Sequence, residues 1–383
     1  MKAFLQLNNL SVDQFLQTYW QQKSLFLPQA FCDQHDPMPD ISELAGLALE
    51  EVAESRLVET DDDAWSLRHG PFSQETLETL GDNPYSLLVQ GVEQFFPSAD
   101  RLLKSIEWLP HWRKDDVMAS LSNKNGGVGP HRDDYDVFLI QLAGRKSWGV
   151  SAGIVADDYF PQLPLKVLRS FTADTKHIAS PGDVLYVPPG FAHHGVALDD
   201  GCITLSIGFR APNASDLFEV LAHSSGGDSL TSRYSDRNRA VSDEAFAINQ
   251  LEIDSLLDLM SQVLKDKKTV SAQILAYLCQ SSATAETDQC QPEELETIFS
   301  IESHYEKSLG SKWLYHKRED EVLLGVEGRV FSFDIAYADA VKKLCCFQSF
   351  SGVQLQELQA TSAFSSFWHY LVKAGLVFED DMK

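Results

Sequence analysis

The stretch from Gly126 to Trp148 constrains this chain more than any other. It runs Gly-Gly-Val-Gly-Pro-His-Arg-Asp-Asp-Tyr-Asp-Val-Phe-Leu-Ile-Gln-Leu-Ala-Gly-Arg-Lys-Ser-Trp. The glycines predict a tight turn or a close backbone approach. A strand is predicted from His131 to Leu142. Side chains alternate faces along a strand, so His131 and Asp133 share one face and Arg132 takes the other. Together they can grip two positions of one metal ion. The stretch from Pro181 to Leu198 offers a third ligand: a turn, a buried strand, Pro188-Pro189-Gly190, then His193 and His194. Two histidines and one carboxylate with open coordination positions suit non-haem iron(II) oxygenases.

A lone His-x-Asp arises often by chance, and its bland reading is a surface histidine beside a solvated acid. The context weighs against that reading. The glycine-rich entry, the apolar strand, the following Gly144-Arg145-Lys146-Ser147-Trp148 and the distal Pro-Pro-Gly-x-x-His agree with one another. Adjacent strand residues face opposite sides, so only one of His193 and His194 reaches the metal. The Pro-Pro-Gly-x-x-His spacing selects His193.

With these blocks in view, the chain resembles the JmjC-type, 2-oxoglutarate-dependent oxygenases, and within them the bacterial ribosomal oxygenases. The likeness extends to Tyr19-Trp20-Gln21-Gln22-Lys23, Ser55-Arg56-Leu57-Val58, His69-Gly70-Pro71-Phe72, Ser86-Leu87-Leu88-Val89-Gln90 and Gly208-Phe209-Arg210-Ala211-Pro212. It covers roughly the first 210 residues well and the remainder by general layout.

The resemblance implies a mixed α and β fold: a cupin/JmjC double-stranded β-helix with surrounding helices, a helical dimerisation region and a winged-helix-like C-terminal domain. The expected boundaries are 1–212, 213–281 and 282–383. It implies iron(II), 2-oxoglutarate and O2, with His131, Asp133 and His193 as metal ligands and catalytic centre. Lys146, fifteen residues after His131, is implied to bind the 5-carboxylate of 2-oxoglutarate. Close members of the group often carry Arg there, so Lys146 is a departure that replaces a bidentate fork with a point charge. Arg145 is expected to point away from it. Ser122 and Thr204 are hydroxyls placed to add hydrogen bonds to the co-substrate. Tyr135 is read either as a contact to a substrate arginine or as barrel packing. The implied reaction is hydroxylation at the β-carbon of an arginine in a basic large-subunit ribosomal protein. A histidine hydroxylase, a cupin enzyme without 2-oxoglutarate and a winged-helix metabolite sensor are the rival readings.

Composition sets the remaining expectations. The formal net charge is -25 over 383 residues. A general nucleic-acid surface is disfavoured, and a strongly basic protein partner is favoured because opposite potentials steer encounter. Between Asp33 and Asp63 there are eleven acids and one arginine. No apolar run approaches the roughly 18 residues of a membrane helix. The start of the chain is not signal-like, so a cytoplasmic protein is expected. Six cysteines without a Cys-x-x-Cys spacing read as thiols in a reducing compartment.

Local pattern predicts helices from Ser11, Ser42 and Ser73, a strand from Ser24 to Pro28, and further helix over Val89 to Leu103. Many short, turn-punctuated strands are predicted between Asp116 and Arg210. After Asn213, helices are predicted over Asp216–Ala222, Ile253–Leu264 and Ser271–Leu278. Leu256, Leu257, Leu259, Met260 and Val263 form a stripe that must be buried, within the subunit or against another. A Ser- and Gly-rich loop follows the first of these helices, and a linker from Ser281 to Cys290 separates the group from a tail of helix, strands and helices.

Overall fold

The computed structural model describes residues 4–32, 37–61, 64–163, 165–223, 248, 250–281 and 299–379. Most of the Ser- and Gly-rich loop, the linker with Cys290 and four of the acids between Asp33 and Asp63 lie outside the described residues. Compactness divides the chain into two units: residues 1–211, 281–311 and 369–383, and residues 212–280 and 312–368. Residues 299–311 and 369–379, from the expected C-terminal domain, thus fall in the first unit.

The first unit is built on two antiparallel sheets. The larger has eight strands, in the order 25–27, 184–187, 136–143, 202–209, 114–122, 85–89, 55–61 and 64–69. The smaller has four, in the order 131–132, 191–197, 146–154 and 175–179. Strand alternation gives the large sheet two apolar faces. Val117, Ala119, Phe138, Ile140, Leu205 and Ile207 pack outward against Phe15, Leu44 and Leu102 of the surrounding helices. Phe15 is fully buried, with ring centroids 5.1 Å from Tyr186, 5.3 Å from Trp108 and 5.8 Å from Phe138. Val137, Leu139, Leu185 and Val187 face the other way and pack with Trp148, Val150 and Phe191 of the small sheet. The site therefore lies between two sheets whose spacing is held by side chains on both inner faces.

The elements around this barrel follow local signals, with corrections. Ser11 caps the helix Val12–Thr18 in a capping box with Gln14. The second helix starts earlier than predicted: Asp40, not Ser42, caps Ile41–Leu47, because Glu43 at the third helical position completes a capping box with it. Ser73 caps Gln74–Glu78. The helix predicted over Val89–Leu103 is broken. A strand ends at Val89, Gly91 adopts φ +66°, and the helix Pro97–Ser105 begins at a proline.

The predicted strand His131–Leu142 is also two strands. His131–Arg132 belongs to the small sheet and Asp136–Ala143 to the large one. Asp133, Asp134 and Tyr135 span the crossover. Asp136 roots the second strand. It is fully buried and paired with Arg113 at 3.0 Å, and it accepts hydrogen bonds from Tyr186 Oη at 2.6 Å and Gln21 Nε2 at 3.0 Å.

The second unit carries a three-stranded antiparallel sheet, 313–317, 321–326 and 329–334, with its turn at Glu327-Gly328. Phe367 is its fully buried centre, its ring 5.3 Å from Phe331 and 6.2 Å from Trp313. Helices Ala214–His223, Gln250–Lys265 and Lys267–Leu278 belong to the same unit. Cys279 and Leu275 close on Gly325, where an added Cβ would lie 2.9 Å from each. Among the described residues no helix is long and apolar enough to cross a membrane.

Candidate metal centre

His131 and His193 are direct register partners across the antiparallel pair 131–132 and 191–197. Such partners bring their side chains together, and the two rings lie 4.3 Å apart. Asp133 follows where the first strand ends, and its carbonyl accepts from Gly190 N at 2.7 Å. That bond ties the crossover to the Pro-Pro-Gly turn. Asp133 Oδ2 stands 3.9 Å from His131 Nε2 and 3.6 Å from His193 Nε2. The three ligand atoms lie within 4.8 Å of one another, and among the described residues this is the one such group of three.

The donor set fits a metal ion. His131 Nδ1 donates to Gly129 O at 3.0 Å, and His193 Nδ1 to Phe191 O at 3.4 Å. A carbonyl can only accept, so each Nδ1 carries hydrogen and each Nε2 lone pair points at the centre. Burial, then the neighbouring His131, pushes the His193 pKa down to about 4. It is therefore neutral, as a ligand must be. Two metal bonds of about 2.1 Å at right angles place their ligands roughly 3 Å apart, so small side-chain shifts close the site.

A local packing rule sets the strand behind His193. Gly195 pairs with Trp148 across the sheet, and a Cβ there would meet the indole at 2.5 Å. The glycine lets Trp148 lie flat against the strand, its ring 6.0 Å from His193. His194 turns to the other side, half-buried against Phe171 at 6.2 Å.

The centre opens into a cavity of about 390 Å3. Lys146, Thr204, Tyr135, His131, Asp133 and His193 all line it. Among the described residues, Ser122 and His194 do not. Ser122 Oγ is instead paired with Ser86 Oγ at 2.7 Å, two residues along the strand from the lining residue Ser120. Thr204 donates to Gln141 Oε1 at 3.0 Å. Lys146 is 5% exposed. Its Nζ donates to Ser120 Oγ at 3.4 Å and lies 5.1 Å from the centre of the Trp148 ring. Among the described residues no carboxylate lies within ion-pairing distance of it, and burial pushes its pKa down. Arg145 points away and pairs with Asp199 at 2.9 Å.

The cavity is also lined by residues that sequence reasoning missed. Asp116, Met118 and Ser120 face inward from one strand, and Ser206 and Gly208 from its neighbour. Their period of two was the available signal, but no motif marks it. Asp116 is buried, and burial together with neighbouring Asp115 raises its pKa to about 6. Tyr135 lies under the Arg210 guanidinium, 5.6 Å from its ring centre, while Arg210 pairs with Asp115. The cavity is thus lined by a cation, an acid and the three side chains that could hold a metal ion.

Comparison with known proteins agrees with this arrangement. A family model for the JmjC domain matches residues 101–217. The ribosomal protein uL16 3-hydroxylase of Escherichia coli is 37% identical over 273 residues, covering 70% of this chain and 71% of that protein. The probable ribosomal oxygenase of Haemophilus influenzae is 32% identical over 306 residues, covering 74% and 73%. A solved structure of YcfD, a ribosomal oxygenase from E. coli in complex with cobalt and 2-oxoglutarate, covers 98% of this chain and 99% of its own. Its TM-score is 0.80 and its identity 29%.

Proposed function

Because the chain belongs to the JmjC-type ribosomal oxygenases, we propose that it is an iron(II)- and 2-oxoglutarate-dependent protein hydroxylase. Its substrate is an arginine of the large-subunit protein uL16, hydroxylated at the β-carbon in the cytoplasm. The observation that carries this reading is the His131–Asp133–His193 group opening into a cavity with a buried, acid-free lysine.

Iron(II), bound by His131, Asp133 and His193, supplies the activation of O2 that couples oxidation of 2-oxoglutarate to succinate with hydroxylation of the substrate. The residues of this chain set the stage. Lys146 holds the far carboxylate of 2-oxoglutarate, with Ser120 and Thr204 adding hydroxyls near it. Trp148, Val137 and Leu139 make that end of the cavity apolar and exclude water. Asp116 attracts the guanidinium of the substrate, and Tyr135 packs along its side chain. A buried carboxylate suits a permanent cation better than a neutral imidazole, which favours arginine over histidine. Incubated with iron(II), 2-oxoglutarate and uL16, the protein will release succinate faster than without uL16. No stimulation over a metal-free control would sink the proposal.

The same reading includes a homodimer. The helix Gln250–Lys265 buries none of its residues. Ile253, Leu256, Leu257, Met260 and Leu264 stand 38%, 42%, 57%, 60% and 49% exposed at helical spacing. This differs from the predicted stripe, since Leu259 and Val263 are half-buried on the flank. A continuous apolar face of this kind calls for a partner, and a second copy offers a matching one. In light scattering the protein will have twice the mass of one chain. Leu257→Glu with Met260→Glu will reduce it to one. A parent protein of single-chain mass would contradict the dimer.

A further inference from the structure

Asp116 is the inward-facing acid of the cavity wall, yet it is held by a neutral residue. Gln90 Nε2 donates to Asp116 Oδ2, and Gly91 N donates to the same oxygen at 3.3 Å. No other hydrogen bond reaches this carboxylate among the described residues, so Oδ1 is left for the cavity. Behind Gln90 stands Arg56, whose Nη2 donates to Gln90 Oε1 at 2.8 Å. All three line the cavity. Arg56 and Asp116 sit on strands that flank the strand 85–89, and Gln90 immediately follows it, since Arg56 pairs with Leu88 and Leu88 with Ser120.

The chemistry of this row admits one arrangement. A guanidinium only donates, so Gln90 must turn its carbonyl oxygen to Arg56. Its amide NH2 must then face Asp116. A carboxylate only accepts, so the two constraints agree. With the amide flipped, oxygen would face carboxylate and NH2 would face guanidinium. The ordinary role for Arg56, a surface ion pair, is the weaker of its contacts: Glu54 is 3.8 Å away and more than half exposed. Such pairs contribute little. The Arg56–Gln90 bond is shorter, charge-assisted and partly buried.

We propose that Arg56 is a positioning residue for substrate recognition: acting through Gln90, it keeps the Asp116 carboxylate ionised, with one oxygen turned to the substrate's guanidinium. The proposal rests on the arginine-hydroxylase reading above. Burial and Asp115 work to protonate Asp116, whereas the Gln90 and Gly91 bonds and the Arg210 charge oppose them. Without Arg56 the Gln90 amide loses the charged donor that anchors and polarises it. Its bond to the Asp116 carboxylate is then weakened.

The test uses the full-length protein with iron(II), 2-oxoglutarate and uL16. Arg56→Met will raise the KM for uL16 about tenfold, the loss of one charged hydrogen bond's worth of binding. It will leave kcat and the KM for 2-oxoglutarate near the parent values. The acid limb of kcat/KM for uL16 will move to higher pH, because Asp116 must be ionised to bind a cation. Gln90→Glu will have the same effect, since it removes the donor to Asp116. Arg56→Lys, which keeps a donor, will recover part of the affinity. If the parent hydroxylates uL16 and Arg56→Met changes neither its KM nor its acid limb, the positioning role is wrong while the functional reading stands. If the parent does not hydroxylate uL16, the reading fails and the positioning role fails with it.

Discussion

His193→Ala will remove metal binding and hydroxylation together. The imidazole is one of three donor atoms within 4.8 Å of one another. It is 2% exposed, so neither water nor a neighbouring side chain replaces it without rearrangement. His194, adjacent in sequence, stays half-buried against Phe171. Changing a residue that only hydrogen-bonds a metal ligand costs about 10- to 100-fold in metal affinity. Loss of a ligand should exceed the upper end of that range. Titration with cobalt(II), followed by its absorption, measures the loss without depending on turnover. His194→Ala is the control and will bind as the parent does. Parent-like cobalt affinity in His193→Ala would remove His193 from the triad.

Lys146→Met will separate two effects that a buried charge combines. In the absence of ligand the ammonium has Ser120 Oγ and the Trp148 face as its partners. Burial already pushes its pKa down. Replacing it by an apolar chain of similar length should leave the unliganded protein as stable or more stable, since an uncompensated buried cation is costly. The co-substrate then meets an apolar pocket with hydroxyls alone. The KM for 2-oxoglutarate should rise about 100-fold, which corresponds to roughly 2.8 kcal/mol. Thermal unfolding reads both effects. The variant will melt at or above the parent temperature without ligand, and 2-oxoglutarate will no longer raise it. A parent-like KM would place the far carboxylate elsewhere in the cavity.

What the sequence made legible was local. His131, Asp133 and the Pro188-Pro189-Gly190 turn before His193 lie within short stretches whose spacing can be read directly. The two-sheet barrel followed from recurring short strands and from the resemblance those stretches carry. The pairing of His131 with His193 joins residues 62 positions apart, and no local signal specifies it. The crossover at Asp133–Tyr135 was missed because no glycine or proline marks it. Alternation across an unbroken strand put Asp133 and Tyr135 on one side, and both do line the cavity, but through a change of sheet. Asp116, Gln90 and Arg56 were missed for a different reason. Each is a common polar residue in or beside a strand, and their meaning comes from three strands meeting. Ser122 has the inward parity of Ser120, yet Ser86 on the neighbouring strand takes its hydroxyl. The misread helix over Val89–Leu103 shows apolar periodicity yielding to Gly91 and Pro97.

In the proposed function this cavity delivers one arginine of uL16 to the His131–Asp133–His193 centre. Peptide mapping by tandem mass spectrometry, after incubation of uL16 with the protein, iron(II) and 2-oxoglutarate, tests it most directly. One peptide will be heavier by a single oxygen, fragmentation will place that oxygen on an arginine β-carbon, and Asp133→Ala will abolish the gain. Oxygen on a histidine, or an unchanged mass with an active parent preparation, would contradict it.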